Sequence, residues 1–385
     1  MGRVLTINNK ESYFRPYYFC IQWDIIWKAG FRKVHPTCYM RGEKRMKSII
    51  DVQKRLIPDL VEVMQKRYRI LRYIEIMQPV GRRSLSQSLQ ITERVLRGET
   101  EFLKDQDLVS ISASGMRLTE EGKIILDQLE HIMKGFSSVP ELERQLATAL
   151  DIQHCNVVTG NSDESEWVKS ELGRACVTKM KDIMKDGHII SVTGGSTMNA
   201  VADAFTSDLN KKNLLFVPAR GGIGADIKDQ ANTICQRMAL KCGGDYMVLY
   251  SPDQVTKELY ESFIQESSIR EVLMKIKSAD IVIHGIGDAL TMAKRRMTSE
   301  EDMQKILEGN AVAEAFGYYF DENGKIVHKV QTVGLQLEDL QNIPYIFAVA
   351  GGASKAKAIK AYMKIAPKNT VLITDEAVTN LILKG

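Results

Sequence analysis

The sequence predicts an α/β protein in two folded parts, and three observations predict it. Short helical stripes between residues 67 and 118 end in a hairpin signal. From Cys155 onward, strand-like runs alternate with helical stretches. Several of those runs are continuously apolar, as strands buried on both faces of a parallel sheet are. The expected architecture is an N-terminal winged helix-turn-helix joined to a C-terminal doubly wound, Rossmann-like domain.

The elements follow in order. Residues 1–45 carry nine of the 27 aromatic residues, nine Lys or Arg and three Asp or Glu, with no sustained period. They are expected to stand outside the fold, as a leader ahead of a start at Met46. An aromatic, basic arm that touches a partner is the alternative. At Met46 a helical pattern opens, with Ile49, Ile50, Val52, Leu56, Ile57, Leu60, Val61 and Met64. Tyr68, Ile70, Leu71 and Ile74 form a stripe that Pro79-Val80-Gly81 breaks. Leu85 and Leu89 mark a second, short helix. Residues 92–103 read as a third, with Thr92 as N-cap. Runs at 108–111 and 116–119 flank Ser114-Gly115 as a small hairpin. Three helices, a tight turn before the third, then a hairpin, read as a winged helix-turn-helix over 46–121. Residues 122–150 are expected to form a helical linker and 151–385 the α/β domain. Its strands are expected at 155–159, 189–193, 214–217, 246–250, 280–284, 345–350 and 370–374.

Composition bounds the function. Hydrophobic content of 44% and charged content of 26% are ordinary for a soluble protein. No apolar run approaches the ~18–20 residues of a membrane helix. Cys20, Cys38, Cys155, Cys176, Cys235 and Cys242 show no Cys-x-x-Cys pair or other metal spacing. Scattered thiols fit a reducing cytoplasm, and neither a metal nor a cofactor is expected. The net charge of +4 is concentrated at one end, because residues 1–45 alone contribute +6. Overall basicity is therefore no argument for nucleic acid.

Locally the balance differs. Between Lys66 and Arg97 eight Lys or Arg face two acidic residues. A recognition helix needs short polar or Arg side chains near its start to reach base edges, with cations around it for phosphates. Thr92, Glu93, Arg94 and Arg97 suit that arrangement; Arg94 and Arg97 are expected at bases or nearby phosphates, and Arg82, Arg83 and Ser84 at the DNA backbone. The alternative is a solvated face of a helical adaptor, which a salt-independent affinity would favour.

The α/β part carries anion-binding groups at strand ends. In Val192-Thr193-Gly194-Gly195-Ser196-Thr197 a β-branched run ends in two glycines and two hydroxyls before a helical pattern resumes. Glycines allow close backbone approach, and the N–H groups and dipole of the next helix attract an anion. Four more segments repeat the theme: Ala219-Arg220-Gly221-Gly222 with Gln230 beyond it, His284-Gly285-Ile286-Gly287-Asp288 followed by Lys294-Arg295-Arg296, Ala313-Glu314-Ala315, and Gly351-Gly352-Ala353-Ser354-Lys355. Each alone is an ordinary turn or surface charge. Together they would converge at the carboxyl ends of the strands. Arg220 is placed for a bidentate phosphate contact. Arg295 reads equally well as a solvated helix face. Glu314, in an apolar run, needs a partner, and sugar hydroxyls would serve. Neither Gly-x-Gly-x-x-Gly nor Gly-x-x-x-x-Gly-Lys-Ser/Thr is present in these segments, so nucleotide binding fits less well.

The Gly81-Arg82-Arg83-Ser84-Leu85 helix-turn-helix, the 192–197 loop, Phe216-Val217-Pro218-Ala219-Arg220-Gly221-Gly222, Gln230-Ala231-Asn232-Thr233 and Val282-Ile283-His284-Gly285-Ile286-Gly287 resemble the SorC family of sugar-responsive bacterial regulators. The resemblance runs from about Met46 to the C-terminus. It implies a transcriptional repressor of a glycolytic operon that binds operator DNA, forms a dimer or tetramer, and is released by fructose 1,6-bisphosphate. The implied effector contacts are Gly194, Gly195, Ser196, Thr197, Arg220, Gln230, Arg295, Glu314 and Lys355, with Ser196 standing where Thr is common. The domain is also similar in fold to sugar-phosphate isomerases and deaminases, which carry Asp-Gly-His after a Gly-x-Gly loop. Here Asp288-Ala289-Leu290 follows instead, so no catalytic residue is expected and His284 reads as structural. An isomerase or deaminase using His284, Asp288 and Glu314 is the alternative, and a scaffold protein a third reading.

Overall fold

The computed structural model describes residues 56–89, 91–136, 139–209, 212–222 and 226–385. The leader expected at 1–45 and the start expected at Met46 lie outside the described residues.

Helix α1 (Pro58–Met77) begins on a proline, whose missing N–H is not needed in a first turn. It ends where Gln78, forced into extended backbone by Pro79, stops the helix. The Gln78 amide oxygen then accepts the Leu118 N–H at 2.9 Å, tying the helix end to the hairpin. Helices α2 (Arg82–Leu89) and α3 (Glu93–Asp105) follow. Thr92 caps α3 by accepting from Val95 N. Strands β1 (Val109–Ser112) and β2 (Gly115–Leu118) pair antiparallel, Val109 opposite Leu118. Gly115 is required: its φ is +124°, and a Cβ would stand 3.0 Å from the Val80 backbone. Ile70, Ile74, Leu85, Leu96, Leu103 and Met116 form the core of this module. The sequence expectation of three helices and a hairpin matches this element order.

Helices α4 (Glu120–Phe136) and α5 (Val139–Leu150) lead into the α/β part. There β3 (His154–Val158), β4 (Ile189–Val192), β5 (Leu215–Pro218), β6 (Asp245–Tyr246), β7 (Ile281–His284), β12 (Tyr345–Val349) and β13 (Thr370–Asp375) form one parallel sheet. Its order is β3-β13-β12-β7-β4-β5-β6. From β4 the chain builds outward through β5 and β6, then returns to lay β7 against the other side of β4. That reversal is a topological switch point, where open α/β sheets leave a crevice at their carboxyl ends. Helices α6 (Glu166–Lys181), α7 (Ser196–Ala204) and α8 (Ala231–Cys242) pack a core of Met198, Val201, Ile234 and Met238 against the sheet.

Two differences from the sequence reading stand out. The strand expected at 246–250 shrinks to Asp245–Tyr246. The Asn232 side chain takes both the N–H and the carbonyl of Leu249, at 3.0 and 3.1 Å, in place of a strand partner. A second, antiparallel sheet was not expected. It runs β11-β10-β9-β8, from Gly287–Asp288 (β8), Ala313–Ala315 (β9), Tyr318–Phe320 (β10) and Ile326–Lys329 (β11). Its strands are too short for a readable period, and the inner two are buried throughout. The remaining helices are α9 (Lys257–Phe263), α10 (Ser267–Lys277), α11 (Ala289–Arg295), α12 (Glu300–Glu308), α13 (Ala356–Met363) and α14 (Glu376–Lys384). Among the described residues no helix is long and apolar enough to cross a membrane.

The N-terminal module docks on α6. The Tyr73 and Trp167 rings meet edge to face, 6.2 Å between centroids. Arg72, only 5% exposed, reaches Glu171 at 3.1 Å and Glu75 at 2.8 Å. Arg174 returns the contact to Glu75 and Glu130 at 3.4 and 3.3 Å.

Candidate functional site

The loop after β4 is built around two glycines with different duties. A Cβ on Gly194 would stand 2.6 Å from the Asp229 carbonyl oxygen, so only glycine fits beside that chain. Gly195 opens α7 at φ +118°, a region side chains avoid. Its N–H goes to the Asp229 carbonyl at 2.8 Å. Ser196 and Thr197 form the first turn of α7, where N–H groups lack intrahelical partners and the dipole is positive. Beside this loop runs Gly285-Ile286-Gly287, held by the Gly285 N–H to Thr193 Oγ1 at 3.3 Å. The loop after β12 is shaped by acids. Asp375 accepts the Ser162 and Gly352 N–H groups at 2.9 and 2.6 Å, and Asp163 accepts Ser354 N at 2.8 Å. That sets Lys355 at the end of a 3-10 turn.

These loops enclose a cavity of about 510 Å³ at the switch point. All nine residues expected at an effector site line it: Gly194, Gly195, Ser196, Thr197, Arg220, Gln230, Arg295, Glu314 and Lys355. Its volume lies in the range of small-molecule sites. Lys355 titrates below the usual lysine value because burial penalises its charge, an effect that Asp163 partly offsets. Arg295, at the end of α11 and about a third exposed, faces Asp229 at 3.6 Å.

Two residues that sequence reasoning missed stand beside them. Arg296 and Asp253 join Arg220 and Glu314 in a buried cluster of two cations and two anions. Arg220 lies 2.5 Å from Asp253 and 3.4 Å from Glu314. Arg296 lies 2.9 Å from Asp253 and 2.8 Å from Glu314. Burial alone would raise the Glu314 pKa, but Arg296, Arg220 and the Gly317 N–H together hold it below the usual carboxylate value. The partner that Glu314 needs is thus supplied by the protein, and Arg220 meets two carboxylates before any ligand. The signal for Arg296 was faint. It is one of three consecutive cations, Lys294-Arg295-Arg296, and nothing local says which of them turns inward. Asp253 carried no local signal.

The alternative acid–base candidates have other occupations. His284 is fully buried, with Nδ1 3.0 Å from the Gly285 carbonyl and Nε2 3.2 Å from the Tyr362 hydroxyl. The carbonyl requires Nδ1 to donate, so Nε2 accepts from Tyr362. Burial pushes its pKa down to about 4, leaving it neutral at pH 7. Asp288 caps α11, accepting the Thr291 N–H and hydroxyl at 2.9 and 2.7 Å.

On the N-terminal module, Arg83 and Ser84 are exposed at the start of α2, where Arg82 is half-buried. Thr92, Arg94 and Arg97 are exposed on the first turns of α3, and Arg97 pairs with Glu101 at 3.1 Å.

Known proteins share this organisation. Residues 135–384 match the Sugar-bind family of sugar-binding domains, and residues 63–133 match the CggR N-terminal DNA binding domain. The chain is 53% identical over 339 residues to the central glycolytic genes regulator of Bacillus subtilis, covering 88% of this chain and 99% of that protein. It is 52% identical over 340 residues to the protein of the same name from Priestia megaterium, with the same coverage. Among solved structures, a regulator assigned to the SorC family from Enterococcus faecalis superposes with a TM-score of 0.60 at 49% identity, over 63% of this chain and 99% of that one. The sorbitol operon regulator SorC of Klebsiella pneumoniae, at 16% identity, shares the fold over 85% of this chain with a TM-score of 0.60. The chain belongs to the SorC family of transcriptional regulators, with a DNA-binding domain ahead of a sugar-binding domain.

Proposed function

We propose that this chain is a repressor of a glycolytic operon, bound to operator DNA through a winged helix and released when a phosphorylated sugar fills the cavity. Fructose 1,6-bisphosphate is the first ligand to test. One observation carries the reading: the N-terminus of α7, Arg295 and Lys355 line one cavity at the switch point. A bisphosphate needs more than one cationic contact, and these supply them. The names of the relatives, central glycolytic genes regulators, point the same way. The nine cavity residues are its effector contacts. Arg82, Arg83, Ser84, Thr92, Arg94 and Arg97 are its DNA contacts. The protein acts in the cytoplasm as a dimer or tetramer, because operator half-sites are read by paired modules.

A thermal-shift panel of mono- and bisphosphorylated sugars tests the ligand. A ligand at 100 times its Kd adds about 2.7 kcal/mol of stability. Operator titration with and without that ligand tests the output, with an expected 5- to 150-fold loss of DNA affinity. Turnover of a sugar phosphate by the purified protein would overturn the reading in favour of an isomerase or deaminase.

A further inference from the structure

Contacts within the N-terminal module assign each side of α3. Leu96, Thr100 and Leu103 are buried against the module's core. The adjoining flank is gripped by α1. Glu99 receives Lys66 Nζ at 2.6 Å and Arg67 Nε at 2.8 Å, and the Arg67 guanidinium lies 3.7 Å from the centroid of the Phe102 ring. Two anchors one turn apart restrain α3 from rolling about its own axis. The remaining side carries Arg94, Arg97, Gly98 and Glu101, spaced three and four apart and all exposed.

Gly98 stands in the middle of that outward side. Inside a helix glycine is worse than any residue but proline, because it has the most backbone freedom to lose. Two other glycines of the module answer to crowding. A Cβ at Gly115 would stand 3.0 Å from the Val80 backbone, and one at Gly122 would strike the Leu108 carbonyl. At Gly98 no described residue comes within 4 Å of the Cβ position, and the backbone is ordinary helix, which alanine adopts more readily. Neither crowding nor backbone geometry among the described residues calls for glycine there. The use that is left is close approach of the backbone to a bound molecule. The major groove of DNA is about 12 Å wide, and a helix with its side chains is about 10–12 Å across. A side chain on the leading edge therefore decides how deep such a helix sits.

We propose that Gly98 is the point of closest approach between α3 and the base edges of duplex DNA, with Arg94 one turn before it and Glu101 one turn after. A side chain at this position holds the helix off the groove floor and lengthens the contacts that Arg94 makes. This rests on the reading of α3 as the helix that meets DNA.

The test uses the full chain and a duplex that the unaltered chain enriches from random-sequence DNA, titrated beside a duplex of unselected sequence. Gly98→Ala should leave the thermal unfolding midpoint unchanged or raised, since alanine is the better helix former. It should nonetheless lower affinity for the selected duplex about tenfold, and the longer Gly98→Gln about a hundredfold, the range of one spoiled base-pair contact. Affinity for the unselected duplex should change by less than about threefold, and the slope of log affinity against log salt should hold, because no charge is lost. Selected-duplex affinity within about threefold of the parent in both variants overturns the proposal. So does a loss that comes with a lowered midpoint, which is a folding defect, or a loss equal on both duplexes. Arg94→Ala separates the proposal from the reading beneath it. If it weakens selected binding and the Gly98 variants do not, α3 remains the helix that meets DNA and the role of Gly98 falls. If none of the three changes binding, both fall together.

Discussion

Arg220 and Arg295 both line the cavity, yet replacing each by Ala should have opposite consequences. Arg220 is 5% exposed and pairs with Asp253 and Glu314. Removing it leaves two buried carboxylates to one guanidinium, Arg296. Breaking a buried ion pair on one side costs about 3–5 kcal/mol, because the orphaned charge stays buried. Arg295 is a third exposed, and its 3.6 Å contact with Asp229 is screened by solvent. Losing it should cost at most about 1 kcal/mol of stability. In ligand binding the order reverses. Arg295 has donors to offer a phosphate, and a charge-assisted hydrogen bond is worth about 1.5–3 kcal/mol, or roughly ten- to a hundredfold in affinity. Thermal unfolding of the full chain, with and without fructose 1,6-bisphosphate, separates the two quantities, and operator titration gives a third readout. Arg295→Ala should unfold near the unaltered chain's midpoint, lose most of the ligand-induced shift and still bind operator. Arg220→Ala should unfold well below it before any ligand is added. An Arg220→Ala chain as stable as its parent would refute the buried-cluster argument. A full ligand shift in Arg295→Ala would refute the phosphate assignment.

Three other outcomes are expected. His284 has a folded pKa of about 4 against 6.5 unfolded, so the unfolded chain binds the extra proton between those values and stability falls as pH drops through that window. The loss is roughly 3 kcal/mol, and His284→Gln should flatten that part of the acid limb; an unchanged slope in denaturant titrations across pH 6.5–4 would count against it. Arg83→Ala, at the exposed start of α2, should reduce the slope of log operator affinity against log salt by about one, with little change in sequence preference; a steepness equal to the parent's would remove Arg83 from the phosphate contacts. Arg72→Met should destabilise the chain by about 1–3 kcal/mol, since Glu171 and Glu75 lose one cation but are partly exposed and keep Arg174; calorimetry showing no loss would mean that the cluster is solvated.

What could be read in the chain followed the range of the signal. The central parallel strands were legible because burial on both faces writes an apolar run directly into sequence; β6, expected at 246–250, is two exposed residues and carries no such run. The loops were legible because Gly194, Gly195 and Gly352 are backbone requirements, fixed by positive φ or close approach. The antiparallel sheet was not, because strands of two to four residues cannot carry a period. Asp253 was beyond reach for another reason. It lies 43 positions from Arg296, and no local pattern says that the loop after β6 folds back onto α11. Glu314 was noticed as a charge in apolar surroundings, which is a local oddity. Its partners are a tertiary fact, and they change its meaning from a group awaiting a sugar to one half-satisfied before the sugar arrives.

The position of α6 bears on how such a cavity can matter to the N-terminal module at all. A ligand shifts a conformational equilibrium only by its difference in affinity for two states, so its contacts must bear on an element that the other site also touches. The first turn of α7 lines the cavity, and α7 packs on α6 backbone to backbone. A Cβ on Gly173 would stand 2.4 Å from the Ala200 carbonyl oxygen, so no side chain cushions that contact. On α6, Trp167, Glu171 and Arg174 grip Tyr73, Arg72 and Glu75 of the N-terminal module. One helix contact therefore separates the cavity from the docking face. Close-packed interfaces of this kind do not deform smoothly; they hold one arrangement or move to another. Ser196 thus lies one helix–helix contact from the helix that carries the partners of Arg72.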